Sequence, residues 1–230
     1  MPADPPTGRP DTDAPITDLG NGVYDLTLTE EPARYRAYLF DWEVPTLVDC
    51  GLETTTETLL DRLETLGIAP ERLVITHAHP DHDGGFDAVV ERYDPTTWVP
   101  EESTLEADNE PDRRYAHEDA VGPFTAVHVP GHCADNYALV APDRDLAVMG
   151  DAMLGADWRG LPAGYFVLVE AIYSNDLTAA ERNLERLQAY EFDTGLVFHG
   201  SSVFEDARKK LDAFVDFPNK GEWDDGVPDG

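Results

Sequence analysis

The sequence predicts a mixed α/β fold in a single domain, with helices packed outside one or two sheets. Three observations carry that expectation. Short runs rich in Val, Tyr, Leu and Thr are bounded by turn residues, as strands are. Segments with apolar residues at helical spacing follow them. The same order, strands and then a helix, occurs in both halves of the 230 residues, a length that suits one domain or at most two very small ones.

Residues 1–15, rich in Pro and Asp, are expected to be a flexible leader, and the acidic residues 217–230 a tail, which leaves residues 16–216 as the folded domain. Within it, strands are expected at 22–29, 35–41 and 46–48. Thr54 and Glu57 have the spacing of a capping box, and Leu59, Leu60, Leu63 and Leu66 then recur at helical intervals until Gly67. A strand at 73–76 leads into a histidine-rich loop and a helix that places Phe86, Val89, Val90 and Tyr93 on one face. Residues 95–121, acidic and turn-rich, read as a loop region. Strands follow at 125–129, 137–140 and 146–149; Thr178 with Glu181 caps a helix bearing Leu184, Leu187 and Tyr190; a strand occupies 196–198; and Ser202 with Glu205 caps the last helix.

Sixteen Lys and Arg against 47 Asp and Glu give a formal charge of −31, with only three lysines. A surface this acidic repels itself, and the repulsion is relieved when the screening length falls from about 10 Å at 0.1 M salt to about 3 Å at 1 M. The composition resembles that of proteins from organisms that hold molar salt inside the cell. Nucleic acid is excluded as a partner, because phosphates are gathered by basic patches that this chain lacks. No apolar stretch approaches the roughly 18 residues of a membrane span, so no membrane partner is expected. The opening residues lack the positive and apolar regions of a secretory signal, which points to the cytoplasm. Cys50 and Cys133 form neither a disulfide framework nor a Cys-x-x-Cys metal spacing.

The chemistry is concentrated in Thr76-His77-Ala78-His79-Pro80-Asp81-His82-Asp83-Gly84-Gly85, at the end of a strand and the start of a helix. Residues two apart in an extended segment point the same way, so His77 and His79 can grip one ion while the turn after Pro80 sends Asp81 and His82 to a second. Gly84 and Gly85 are expected to let the backbone pass close to those ions, and Asp83 to cap the next helix.

This block resembles the His-x-His-x-Asp-His signature of the metallo-β-lactamase superfamily. The resemblance extends over roughly residues 20–214 and implies a four-layer αββα sandwich. His132 in Val-Pro-Gly-His, Asp151 in Met-Gly-Asp and His199 in Val-Phe-His-Gly match the family's remaining ligand positions, each after an expected strand. By resemblance, His77, His79 and His132 hold the first ion, Asp81, His82 and His199 the second, with Asp151 between them. Asp49 matches an upstream family aspartate that orients ligands. His117 and His128 stay outside this set and read as structural.

Two divalent cations about 3.5 to 4 Å apart can share a water and present hydroxide to an electrophilic carbon or phosphorus. The resemblance therefore implies a hydrolase acting on a small-molecule ester, thioester, lactone or phosphodiester, with Asp81 as the candidate catalytic residue that orients the nucleophile and collects its proton. Histidines with carboxylates and no thiolate suit zinc, although iron or manganese fits the same set. Family branches narrow the choice. The best-known β-lactamases put cysteine at the Asp151 position, glyoxalase II enzymes add a helical glutathione-binding domain after the last ligand, and acyl-homoserine lactonases carry tyrosine where Leu154 stands. Two rivals are an oxidoreductase similar to the mononuclear iron persulfide dioxygenases and a non-catalytic module whose ions only hold loops. Substrate contacts are expected on residues 154–173, with Trp158, Arg159, Tyr165 and Phe166. Arg159 either binds a carboxylate or pairs with a neighbouring acid.

Overall fold

A computed structural model describes residues 15–30 and 34–217. The expected leader and tail lie outside these residues, Pro15 and Phe217 apart. The first sheet contains seven strands in chain order: β1 (Ile16–Gly20), β2 (Val23–Thr29), β3 (Tyr35–Phe40), β4 (Thr46–Val48), β5 (Arg72–Val74), β6 (Thr96–Pro100) and β7 (Arg113–Tyr115). Helix α1 (Thr56–Leu66) joins β4 to β5, and α2 (Pro80–Asp83) with α3 (Phe86–Tyr93) joins β5 to β6. The chain then makes β8 (Ala120–Val121), β9 (Phe124–His128), β10 (Tyr137–Ala141) and β11 (Leu146–Val148). After the small hairpin of β12 (Leu154–Gly155) and β13 (Phe166–Val167) come α4 (Leu177–Asn183), β14 (Thr194–Leu196) and α5 (Ala207–Val215). The second sheet has the order β14-β11-β10-β9-β8.

Strand alternation sorts the core into three layers of side chains. Tyr38, Phe40, Val48 and Val74 from the first sheet meet Phe124, Tyr137, Leu139 and Val148 from the second. On the outer face of the first sheet, Ala37, Leu39, Leu47 and Leu73 pack against Leu59 and Leu63 of α1 and Phe86 and Val89 of α3. On the outer face of the second, Ala138, Val140 and Ala147 pack against Leu184, Leu187 and Leu211. Helix, sheet, sheet, helix is the expected four-layer sandwich.

Three expected helix caps are displaced. A 3₁₀ turn, Glu53–Thr55, precedes α1 and takes in Thr54, so the N-cap is Thr55, whose hydroxyl donates to the Leu52 carbonyl and makes no cap bond. Asp176, not Thr178, caps α4 by accepting from Ala179 N at 2.8 Å, and α4 tightens into a 3₁₀ turn, Leu184–Ala189, that carries Leu184 and Leu187 into the core. At α5 the N-cap is Asp206, while the Ser202 hydroxyl turns inward to Tyr38 and to Val197 N. Thr54 and Thr178 lie one and two residues from the observed N-caps, Thr55 and Asp176, and the Ser202 hydroxyl serves a tertiary partner. Residues 95–121 hold β6, β7 and β8, strands whose short length and acidic surroundings hide their period, and β1 is a strand the sequence reading left out.

Candidate metal centre

Strand direction gathers the expected ligands at one edge. β9 and β11 both run antiparallel to β10, so they run together, and β14 pairs parallel with β11. His132, Asp151 and His199 follow these three strands and therefore leave the second sheet on the same side. In the first sheet β4 and β5 are parallel, which brings Asp49 and the His77–His82 block to a common end.

The seven side chains converge. His77, His79 and His132 form one group of donor atoms within 4.8 Å of one another; Asp81, His82 and His199 form a second; and His77, His82 and Asp151 form a third that takes one histidine from each of the others. His132 Nε2 lies 3.0 Å from His79 Nδ1. Asp151 stands between the halves: its Oδ2 is 3.6 Å from both His132 Nε2 and His199 Nε2, and its Oδ1 is 3.5 Å from His82 Nε2. Asp81 Oδ2 lies 3.3 Å from His199 Nε2.

Buried polar atoms ordinarily have partners, because leaving one unsatisfied carries a desolvation cost. Here His77 Nε2, His82 Nε2, His132 Nδ1 and Asp151 Oδ1 are all buried without a hydrogen bond. A cluster of unpartnered nitrogen and carboxylate donors fits divalent cations. The electrostatics agree. Burial lowers the His77 pKa well below the usual imidazole range and lowers that of His132 too, which leaves both neutral and able to donate a lone pair. Burial opposes a charge on His199 as well, but Asp151 and Asp81 outweigh it and push its pKa up to about 9. Burial would raise the Asp151 pKa, yet His199 and His82 hold this carboxylate well below its usual range.

A second tier of hydrogen bonds fixes the donors. Asp49, fully buried, accepts from Thr76 N, Thr76 Oγ1 and His82 Nδ1, each at 2.7 Å. With the Thr76 hydroxyl donating to Asp49, its oxygen faces His77 Nδ1 at 3.1 Å and accepts that proton. Both imidazoles are thus held with Nδ1 protonated and Nε2 aimed inward. Asn136 Oδ1 accepts from Asp151 N at 2.9 Å, and Asp135 Oδ2 accepts from Ala78 N at 2.9 Å and from Ser103 Oγ. Gly131, before His132, has φ +146°, and a Cβ there would lie 2.1 Å from Ala180 N, so glycine lets this turn rest on α4.

Beside the donors opens a cavity of about 410 Å³, whose further lining is Tyr35, Leu154, Trp158, Val169, Glu170 and Tyr173. Tyr35 and Trp158 set their rings 5.3 and 5.4 Å from the His199 ring.

The family described as the Metallo-beta-lactamase superfamily matches this chain over residues 43–199, a span that runs from just ahead of β4 to the last histidine. The chain belongs to this superfamily. Among solved structures, the metallo-beta-lactamase from Pontibacter korlensis superposes with a TM-score of 0.69 at 22% identity, covering 87% of this chain and 96% of that one. TTHA1623, solved in a di-iron-bound form, has a TM-score of 0.63 at 25% identity, covering 81% and 96%. A hydroxyacylglutathione hydrolase from Chromohalobacter salexigens is 31% identical over 159 residues, 67% of this chain and 55% of that protein. The chain spans about half the length of the curated relatives it matches.

Several local expectations for this metallo-β-lactamase superfamily chain are corrected. A Cβ at Gly84 would lie 2.4 Å from Glu53 N, and one at Gly85 2.6 Å from the Cys50 carbonyl oxygen, so these glycines serve contact with the loop after Asp49 instead of approach to ions. Asp83 ends α2, and Gly85 is the N-cap of α3. Arg159 pairs with Glu170, Nε to Oε1 3.2 Å. Of the other candidates on residues 154–173, Trp158 lines the cavity, Phe166 is core and Tyr165 is exposed. His128 stacks on Tyr137 and bonds the Ala134 carbonyl, a structural role as expected. Tyr35, Asp135 and Asn136 were not foreseen: Tyr35 reads as an ordinary strand residue, and the other two lack any spacing signal. Among the described residues no helix is long and apolar enough to cross a membrane.

Proposed function

We propose that the chain is a dinuclear metal-dependent hydrolase of small esters, thioesters, lactones or phosphodiesters. His77, His79 and His132 would hold one ion, Asp81, His82 and His199 the other, with Asp151 shared. The observation that carries this reading is the third donor group, His77 with His82 and Asp151, which joins the two flanking triads. Bound divalent ions supply Lewis acidity, acidifying water and polarising a carbonyl or phosphoryl oxygen. Zinc suits the donor set, and the di-iron relative supports iron as the alternative.

The chain's own groups do the rest. Asp81 is more open to solvent than Asp151, 23% against 6%, and borders the cavity, so its carboxylate is the group placed to orient a water and accept its proton. Trp158 and Tyr35 shield the His199 side of the site from bulk solvent. The charge balance supports a cytoplasmic, salt-adapted setting.

Two equivalents of metal by elemental analysis are expected, with kcat/KM reduced on the order of a hundredfold or more in Asp151→Ala and His79→Ala. Full activity in both variants refutes the reading.

A further inference from the structure

We propose that the site selects uncharged esters or thioesters with an apolar acyl group and rejects anionic ones, because the wall beside the donors combines aromatic side chains with the Glu170 carboxylate and, among the described residues, offers no uncommitted Lys or Arg. The inference rests on the hydrolase reading and narrows it. Beyond the candidate ligands, the cavity is lined by Tyr35, Leu154, Trp158, Val169, Glu170 and Tyr173, and among the described residues no lysine or arginine borders it. Arg159 is the only lysine or arginine within residues 154–173, and its guanidinium is committed to the wall's own Glu170 and to a backbone carbonyl. Its Nε meets Glu170 Oε1 at 3.2 Å, and its Nη2 donates to the Leu168 carbonyl at 2.7 Å.

Glu170 is held with one oxygen used and one left over. Oε1 also accepts from Trp158 Nε1 at 3.2 Å, whereas Oε2 is buried without a hydrogen-bond partner. A substrate carboxylate or phosphate entering beside it would lose water, gain no uncommitted Lys or Arg partner and approach the Glu170 oxygen that Arg159 does not hold, three effects of one sign. An alkyl or aryl acyl group meets the opposite situation. Leu154, Val169 and the aromatic rings offer it apolar contact, and the wall reaches the surface at Tyr173, 64% exposed. Phosphodiesters, and thioesters of carboxylate-bearing thiols such as glutathione, then fall outside the preferred range. In the reaction water adds OH to the acyl carbon, the carbon–oxygen or carbon–sulfur bond breaks, and the remaining proton leaves on the alcohol or thiol; nothing is oxidised or reduced.

The test compares para-nitrophenyl pentanoate with para-nitrophenyl hydrogen glutarate, acyl groups of equal length that differ by a carboxylate, on the metal-loaded protein. About 1 M potassium chloride, where the screening length is about 3 Å, removes the general repulsion of an acidic surface. The expected kcat/KM favours the pentanoate at least tenfold, and Glu170→Gln narrows that preference at least threefold. Calorimetric titration with pentanamide and glutaramate reads binding independently of turnover, and only the first is expected to bind. Equal rates, or a glutarate preference, overturn the proposal; an unchanged preference in Glu170→Gln overturns the role of that carboxylate. If neither ester turns over but pentanamide alone binds, the hydrolase reading fails and the selectivity stands; if neither amide binds, both fail.

Discussion

Asp49 Oδ2 lies 2.7 Å from His82 Nδ1, and neither side chain has any contact with solvent. The carboxylate accepts the Nδ1 proton and so reserves Nε2 as a lone-pair donor. In Asp49→Asn an amide NH₂ facing Nδ1 inverts that preference and moves the proton to Nε2. The variant is expected to fold but to bind metal about 10- to 100-fold more weakly, as measured by competition with a chromophoric chelator. Unchanged affinity would show that the imidazole needs no such orientation.

Arg36 is buried in β3, with Nε 2.9 Å from Asp25 Oδ2 and Nη1 3.3 Å from the carbonyls of Val197 and Phe198. Arg36→Met leaves Asp25 as an uncompensated buried carboxylate, at a cost of about 3–5 kcal/mol in urea unfolding. Adding Asp25→Leu should recover much of that loss, since the second change removes the stranded charge; if the double variant is as unstable as the single, the ion pair is not the cause.

Metal capture by the metal-free protein should release protons at neutral pH. His199, with its pKa pushed up to about 9 by Asp151 and Asp81 against the effect of burial, is protonated at pH 7 in the metal-free state and must lose that proton to become a ligand. The sign for stability follows from the same shift. A histidine raised above its unfolded value of about 6.5 contributes stability that is fully present below that pH and lost as pH climbs through about 9. Metal-free protein is therefore expected to weaken across this interval while its metal affinity rises. Titrations in buffers of different ionisation enthalpy measure the protons released; none released would contradict the assignment.

The −31 charge predicts that dilute buffer destabilises the fold. Exposed pairs such as Arg92–Glu64 and Lys209–Asp206 contribute little against such an excess. The melting temperature should be higher in roughly 2 M than in 0.1 M potassium chloride, and equal values would remove the salt-adapted reading.

The His77–His82 block was legible as a dense cluster at the end of the strand at 73–76, whereas His132, Asp151 and His199 became legible only through the family resemblance, each standing after a later expected strand. The helical faces of Leu59 and Leu63, and of Phe86 and Val89, were legible for the same reason, a period that burial enforces. Helix starts were not. Thr54, Thr178 and Ser202 all satisfy the capping pattern, but a serine such as Ser202 can equally serve Tyr38 across the sandwich, and only the tertiary fold decides. Tyr35 escaped reading as a site residue, and Glu170 was not singled out within the expected segment 154–173, because their importance lies in what surrounds them, a cavity wall assembled from β3 and from the stretch before α4.

The grip of Arg36 on the carbonyls beside His199 spans 161 and 162 positions of sequence. A nascent polypeptide can assemble the His77–His82 block early, yet Arg36 of β3 waits for the carbonyls beside the final imidazole until a further 162 residues have been made. Tight ion capture would then report that this domain is whole, and chains cut short of His199 would lack the closing half of their own cofactor cage.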